Sequence, residues 1–271
     1  IHLYLLLLIK GDHRGNLCTS ESNLAGKMPL LLLLLSFALS PREAGEIIGG
    51  HEAKPHSRPY MAHLEIYRNN CPVLSYCGGF LIREDVVMTA AHYHGSYIEV
   101  TLGAHNIQKR AKSKQRIPVS KIIPHPDYNS SILTNDIMLL KLERNAHLTK
   151  KVQCLRMSHS TVQLRPGQVC SGAGWGRLGP QTHLSVTLQE VQLTLQEDQE
   201  CVSQFPQMYN PATMLCAGDP YENNAFEGDS GGPLVCDNVA QGVVSFGNIY
   251  GNPPAVYTKI SPYLPWINNI L

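Results

Sequence analysis

The chain is poor in phenylalanine, in tryptophan and in charge: 271 residues contain 5 Phe and 2 Trp, and only 16% are Asp, Glu, Lys or Arg. That shortage excludes long solvent-exposed helices and coiled coils, which are written in charged repeats. Long apolar runs are missing too. The longest spans about ten residues, half of the ~20 a membrane-spanning helix needs, so no membrane span is expected. Nor is there an excess of one sign, with 22 basic against 21 acidic side chains and a net charge of +1. A balance of that kind gives nucleic acid no electrostatic reason to bind. Metal-ligand spacing is also absent. His94 lies two residues after His92, but no carboxylate or cysteine cluster accompanies the pair, so no metal and no cofactor are expected.

What the chain does hold is punctuation: 22 Gly, 18 Pro and 12 Tyr within a composition that is 43% hydrophobic. Short runs alternate apolar and polar residues, as in His63-Leu64-Glu65-Ile66-Tyr67, Ile98-Glu99-Val100-Thr101-Leu102, Gln189 to Leu195 and Gly242-Val243-Val244-Ser245-Phe246. Each reads as a strand with one face inward, and many such strands broken by turn residues predict an all-β sandwich or barrel. The tail, Tyr263 to Leu271, spaces apolar residues three to four apart and predicts a short docked helix. Eight cysteines favour an oxidising compartment.

Residues 1–27 carry no domain pattern and read as an upstream extension outside the working protein. From Met28, Leu30 to Leu35 and Ser36-Phe37-Ala38-Leu39 form an apolar core of signal-peptide length ending at Ala44-Gly45, which assigns 28–44 to a signal peptide.

Chemistry enters at Gly228-Asp229-Ser230-Gly231-Gly232-Pro233. Glycines on both sides of one serine let the backbone turn tightly enough to lift the hydroxyl while backbone N–H groups converge on one spot. A serine needs a base to become a nucleophile. Asp85-Val86-Val87-Met88-Thr89-Ala90-Ala91-His92 supplies a histidine after a β-branched run. Asn135-Asp136-Ile137-Met138-Leu139-Leu140 supplies an aspartate at the head of an apolar strand.

These three segments, in the order His, Asp, Ser, resemble the chymotrypsin-like serine proteases over residues 47–271. The likeness is closest to the granzyme, mast-cell chymase and cathepsin G branch, on Ile47-Ile48-Gly49-Gly50, Pro55-His56-Ser57-Arg58-Pro59-Tyr60-Met61-Ala62 and Thr101-Leu102-Gly103-Ala104-His105-Asn106-Ile107. It implies two six-stranded antiparallel Greek-key β-barrels, about 47–155 and 165–271, with a short C-terminal helix. It implies a secreted or granule-stored serine endopeptidase with His92, Asp136 and Ser230 as the catalytic residues and the N–H groups of Gly228 and Ser230 as oxyanion hole. Gly45-Glu46 would be an activation dipeptide, and the freed amine of Ile47 would pair with Asp229. Protein or peptide substrates are the expected partners, with serpin-type inhibitors beside them. A catalytically silent homologue acting as a binding protein is the alternative, although every residue of the motifs stands.

The resemblance places Asn224 and Ala225 at the base of the primary substrate pocket, Ser245-Phe246-Gly247 along one wall and Ala255 along the other. None is charged, so a substrate residue with a buried cation or anion would lack a counter-ion. Phe, Tyr, Leu or Met before the cut is the expectation. The basic cluster Lys109, Arg110, Lys112, Lys114 and Arg116 reads as a solvated loop or as a contact for anionic granule proteoglycan. Asn129-Ser130-Ser131 is an N-glycosylation sequon. The resemblance pairs Cys170 with Cys236 and Cys201 with Cys216. It fails at residue 93, where the family has cysteine after the histidine and this chain has Tyr93. Cys77 thereby loses its usual mate; Cys71 and Cys77 remain candidates for a local bridge, or a thiol stays free.

Overall fold

The computed structural model describes residues 50–68, 75–158, 164–177, 182–218, 229–248 and 252–271. Strands dominate. In chain order they are β1 (His51–Glu52), β2 (Met61–Tyr67), β3 (Ser75–Arg83), β4 (Val86–Thr89), β5 (Tyr97–Leu102), β6 (Gln115–Pro124), β7 (Met138–Leu142), β8 (Arg156–Met157), β9 (Val169–Gly174), β10 (Gln189–Thr194), β11 (Met214–Ala217), β12 (Pro233–Cys236), β13 (Val239–Phe246) and β14 (Ala255–Lys259). The described helices are α1 (Asp198–Gln204) and α2 (Leu264–Ile270). The second is the docked tail that the apolar spacing predicts.

In the first half, β2-β3-β4-β7-β6-β5 close into an antiparallel barrel. Alternation explains the closure: Leu64, Ile66, Val100, Leu102, Ile117, Leu140 and Leu142 turn inward and are buried together. The second half is an eight-stranded sheet in the order β1-β10-β9-β12-β13-β14-β11, with β8 added in parallel to β13. Its central six strands run from β10 to β11, and Leu195 just past β10 bridges Ala217 at the end of β11. Leu193, Leu195, Leu215, Leu234, Val244 and Tyr257 fill its interior.

A third cluster joins the halves. Met61, Phe80, Met88, Ile137 and Leu139 from the first pack with Trp175, Leu188, Val243, Tyr263 and Ile267 from the second. The C-terminal helix thus closes over the seam between two sheets, and chain segments crossing that seam are held from both sides.

Two disulfides lie in the second half, Cys170 to Cys236 and Cys201 to Cys216. Cys77 is a free, buried thiol, the second of the two outcomes considered from the sequence; Cys71 lies outside the described residues. Cys77 lies opposite Leu64 in the β2–β3 ladder and belongs to the interior of the first barrel. Cys154 is free and exposed. No described helix is long and apolar enough to cross a membrane.

Candidate active site

The site forms where three loops meet at the seam. β4 ends in small residues: Ala90 and Ala91 are fully buried, and the chain then tightens into one 3-10 turn, Ala91–Tyr93. Small side chains at Ala90 and Ala91 carry the chain into that turn through the core, and His92 is buried in it.

Asp136 comes from the segment ahead of β7. Asn135 adopts the left-handed conformation, φ +55°, which asparagine tolerates and β-branched residues do not. Its side chain is pinned on both sides, donating to the Asp127 carbonyl at 2.8 Å and accepting from the Tyr263 hydroxyl at 2.9 Å. The turn aims Asp136 into the seam, where it is 0% exposed.

A buried carboxylate is costly unless donors replace its water. Asp136 has three. Oδ1 accepts the His92 backbone N–H at 2.9 Å, while Oδ2 meets His92 Nδ1 at 2.7 Å and accepts the Ser245 hydroxyl at 2.5 Å. An acceptor-only carboxylate fixes the imidazole's tautomer: Nδ1 carries the proton, leaving a lone pair on Nε2. That Nε2 is buried and has no hydrogen-bond partner among the described residues. The Thr258 hydroxyl adds a fourth tie, to the Asp136 carbonyl, at 2.9 Å.

Ser230 sits 1% exposed in a turn stitched to both halves. Gly78 of β3 donates to the Ser230 carbonyl at 3.0 Å, and Gly231 donates to the Val244 carbonyl of β13 at 2.9 Å. Gly231 has φ +84°, and a Cβ there would run into Thr89 Oγ1 and the Gly78 carbonyl. Glycine is therefore required by both torsion and space.

Asp229 turns the other way. It is 2% exposed, and its Oδ1 accepts the Gly176 N–H at 2.9 Å. A Cβ on Gly174 or Gly176 would occupy the carboxylate's position, so the strand-end sequence Gly174-Trp175-Gly176 is the space that holds it.

The other residues named from the sequence divide. Gly228, Ile47, Asn224 and Ala225 lie outside the described residues. Ser245 is committed to Asp136, a role that the sequence reading missed because nothing in a strand pattern says which neighbour a hydroxyl will face. Phe246 packs edge-on against Phe205, centroids 5.3 Å apart, so its ring belongs to a cluster with Met214 and Val256. Ala255 is buried in the second interior, with Gly247 half-buried. Asn129 is exposed in its turn, accepting the Ser131 N–H. Of the basic cluster, Lys114 donates to the Ile107 carbonyl and Arg116 pairs with Glu65 and Glu99, which leaves Lys109, Arg110 and Lys112 facing solvent.

The described residues thus give a histidine braced by a buried carboxylate and a serine held on glycines at the same seam, without a hydrogen bond from Ser230 to His92 Nε2, and sequence comparison gives the class. The family model for Trypsin matches residues 47–267. The chain belongs to that family and is a serine-type endopeptidase of chymotrypsin-like fold. Within it the chain falls in the granzyme, cathepsin G and chymase-like branch. It is 57% identical over 246 residues to granzyme B of Rattus norvegicus, covering 90% of this chain and 99% of that protein. Granzyme B of Homo sapiens is 54% identical with the same coverage, and cathepsin G of Mus musculus is 54% identical over 244 residues, covering 90% and 92%. A solved structure described as "Structure of GrC" superposes with a TM-score of 0.80 at 48% identity, covering 83% of this chain and 99% of that one.

Proposed function

We propose that the chain hydrolyses peptide bonds through Ser230, His92 and Asp136. Ser230 attacks the scissile carbonyl, His92 Nε2 takes its proton and returns it to the leaving amine, and Asp136 holds the ring and the positive charge that develops on it. The N–H groups of Gly228 and Ser230 receive the oxyanion. The observation that carries this reading is the carboxylate–imidazole pair at 2.7 Å, wholly buried, with the free Nε2 lone pair on the ring's opposite side.

In the same reading, removal of Gly45-Glu46 frees the amine of Ile47, which pairs with Asp229 and orders the Ser230 turn. The cradle at Gly174 and Gly176 supports a role for Asp229 inside the protein rather than at its surface. Asn224, Ala225, Gly247 and Ala255 supply a neutral slot, with Ser245 and Phe246 contributing main chain. Phe, Tyr, Leu or Met precedes the cut. The protein works after secretion or release from a granule, on protein substrates and under serpin-type control, with Asn129 glycosylated. Three free cations are a small patch, so proteoglycan is at most a weak partner.

The test takes the chain processed to begin at Ile47. A fluorophosphonate labels it and does not label Ser230→Ala, whose kcat falls about a million-fold. A peptide library varied at the residue before the cut gives apolar and aromatic residues. An unlabelled protein, or a dominant Arg, Lys or Asp preference, overturns the reading.

A further inference from the structure

Residue 93 is where this chain departs from the proteases it resembles, and the structure shows what stands in place of the lost cross-link. The turn that presents His92 is three residues long, has no side-chain cap, and is closed by one backbone bond from His94 to Ala91. Cys77, the thiol that would tie the turn to β3, is unbridged. The Tyr93 side chain instead belongs to the first-barrel interior, clustered with Leu64, Cys77, Ala91, Met138 and Leu140, and is 7% exposed. Its ring lies against the imidazole of His92, centroids 4.3 Å apart and planes inclined at 43°.

We propose that Tyr93 is a positioning residue for His92, setting the plane of the imidazole by ring contact. The argument is one of degrees of freedom. Asp136 holds a single edge of the imidazole, at Nδ1, and the far edge at Nε2 has no partner among the described residues. A bond at one edge acts as a hinge and leaves the ring's tilt open. A tilted ring contact closes that hinge, and the Tyr93 ring is immobile because its own side chain is sunk in the barrel core. A ring this close also attracts the imidazolium that forms when His92 takes the serine proton, a contribution that favours the transition state over the resting enzyme.

This inference rests on the Ser230–His92–Asp136 reading, and the experiment separates the two. Tyr93→Leu keeps apolar volume and removes the ring; Tyr93→Phe keeps the ring and removes the hydroxyl; Tyr93→Met serves as a second ringless variant. In the processed protease, kcat on an apolar peptide falls about tenfold in Tyr93→Leu and Tyr93→Met with KM within about twofold, and Tyr93→Phe stays within about twofold of the parent in both. Melting temperatures are read alongside. A ringless variant that melts lower but keeps its kcat overturns the proposal, as does a Phe variant that loses as much as the Leu variant. A parent protein that no fluorophosphonate labels overturns the catalytic reading together with this one; a labelled parent with an indifferent residue 93 overturns this one alone.

Discussion

At the scale of single residues, the site is a problem of solvating one anion without water. Asp136 is fully enclosed, and the Ser245 hydroxyl is the donor nearest to it that belongs neither to the imidazole nor to its backbone. Removing that donor leaves a carboxylate lone pair unmatched, at a cost of about 1–3 kcal/mol. Ser245→Ala is therefore expected to melt lower and to lose kcat while KM on a short peptide stays near its parent value. Thermal melts and steady-state kinetics on the two proteins check it, and an unchanged kcat counts against Ser245 as a brace. Sequence alone exposed His92, Asp136 and Ser230 because each sits in a local pattern: small residues before a histidine, an aspartate opening an apolar strand, a serine among glycines. Ser245 and Asn135 have no such mark. Their roles depend on partners 109 and 128 residues away in the chain, Asp136 and Tyr263, and strand periodicity carries no information about which partner a polar side chain meets.

At the scale of elements, the strands were legible and the helix at Asp198–Gln204 was not. Three of the four alternating segments fall within β2, β5 and β13, and the fourth overruns β10 by one residue, Leu195, since a period of two is visible whenever one face is buried. The short helix α1 buries only Cys201 among its residues, so no apolar stripe announces it; the disulfide from Cys201 to Cys216 fixes it to β11 instead. The histidine turn is the reverse case, an element fixed by packing where a cross-link is expected. Cys77 and Tyr93 share one core cluster, and a bridge between residues 77 and 93 would close a loop short enough to add about 3 kcal/mol. Tyr93→Cys, oxidised, should melt several degrees higher than the parent, while its reduced form should melt lower because the cluster has lost a ring. Melting variant and parent side by side, each with and without reductant, distinguishes them, because reduction of Cys170–Cys236 and Cys201–Cys216 is common to both. An oxidised variant that melts no higher means that the turn does not need the tie.

At the scale of the whole molecule, the question is what holds two sheets in register so that residues from both meet at one point. Part of the answer is the apolar seam, and part is a ring contact across it. His63 of β2 is 4% exposed, meets Trp175 edge-on at 5.6 Å with an interplanar angle of 88°, and tilts against Tyr76 at 5.4 Å. Trp175 follows β9, so this histidine ties the first barrel to the second sheet. Burial lowers its pKa to about 4 from the ordinary 6.5, and the nearby cations Lys114 and Arg116 push the same way. A depressed histidine pKa means that the unfolded chain binds a proton more readily than the folded one between those two values. Stability is thus fully present above pH 6.5, falls as the pH drops toward 4, and loses nothing further from this group below that. At pH 5 the loss amounts to about 2 kcal/mol, or roughly 4–8 °C of melting temperature for a chain of this size. His63→Phe keeps a ring between Tyr76 and Trp175 and cannot charge. Its melting temperature should therefore fall less between pH 7 and pH 5 than that of the parent, by about that margin, with the two curves running parallel above pH 7. Parallel curves throughout would mean that the histidine finds water or a partner when it protonates, and that the two halves stay docked without it.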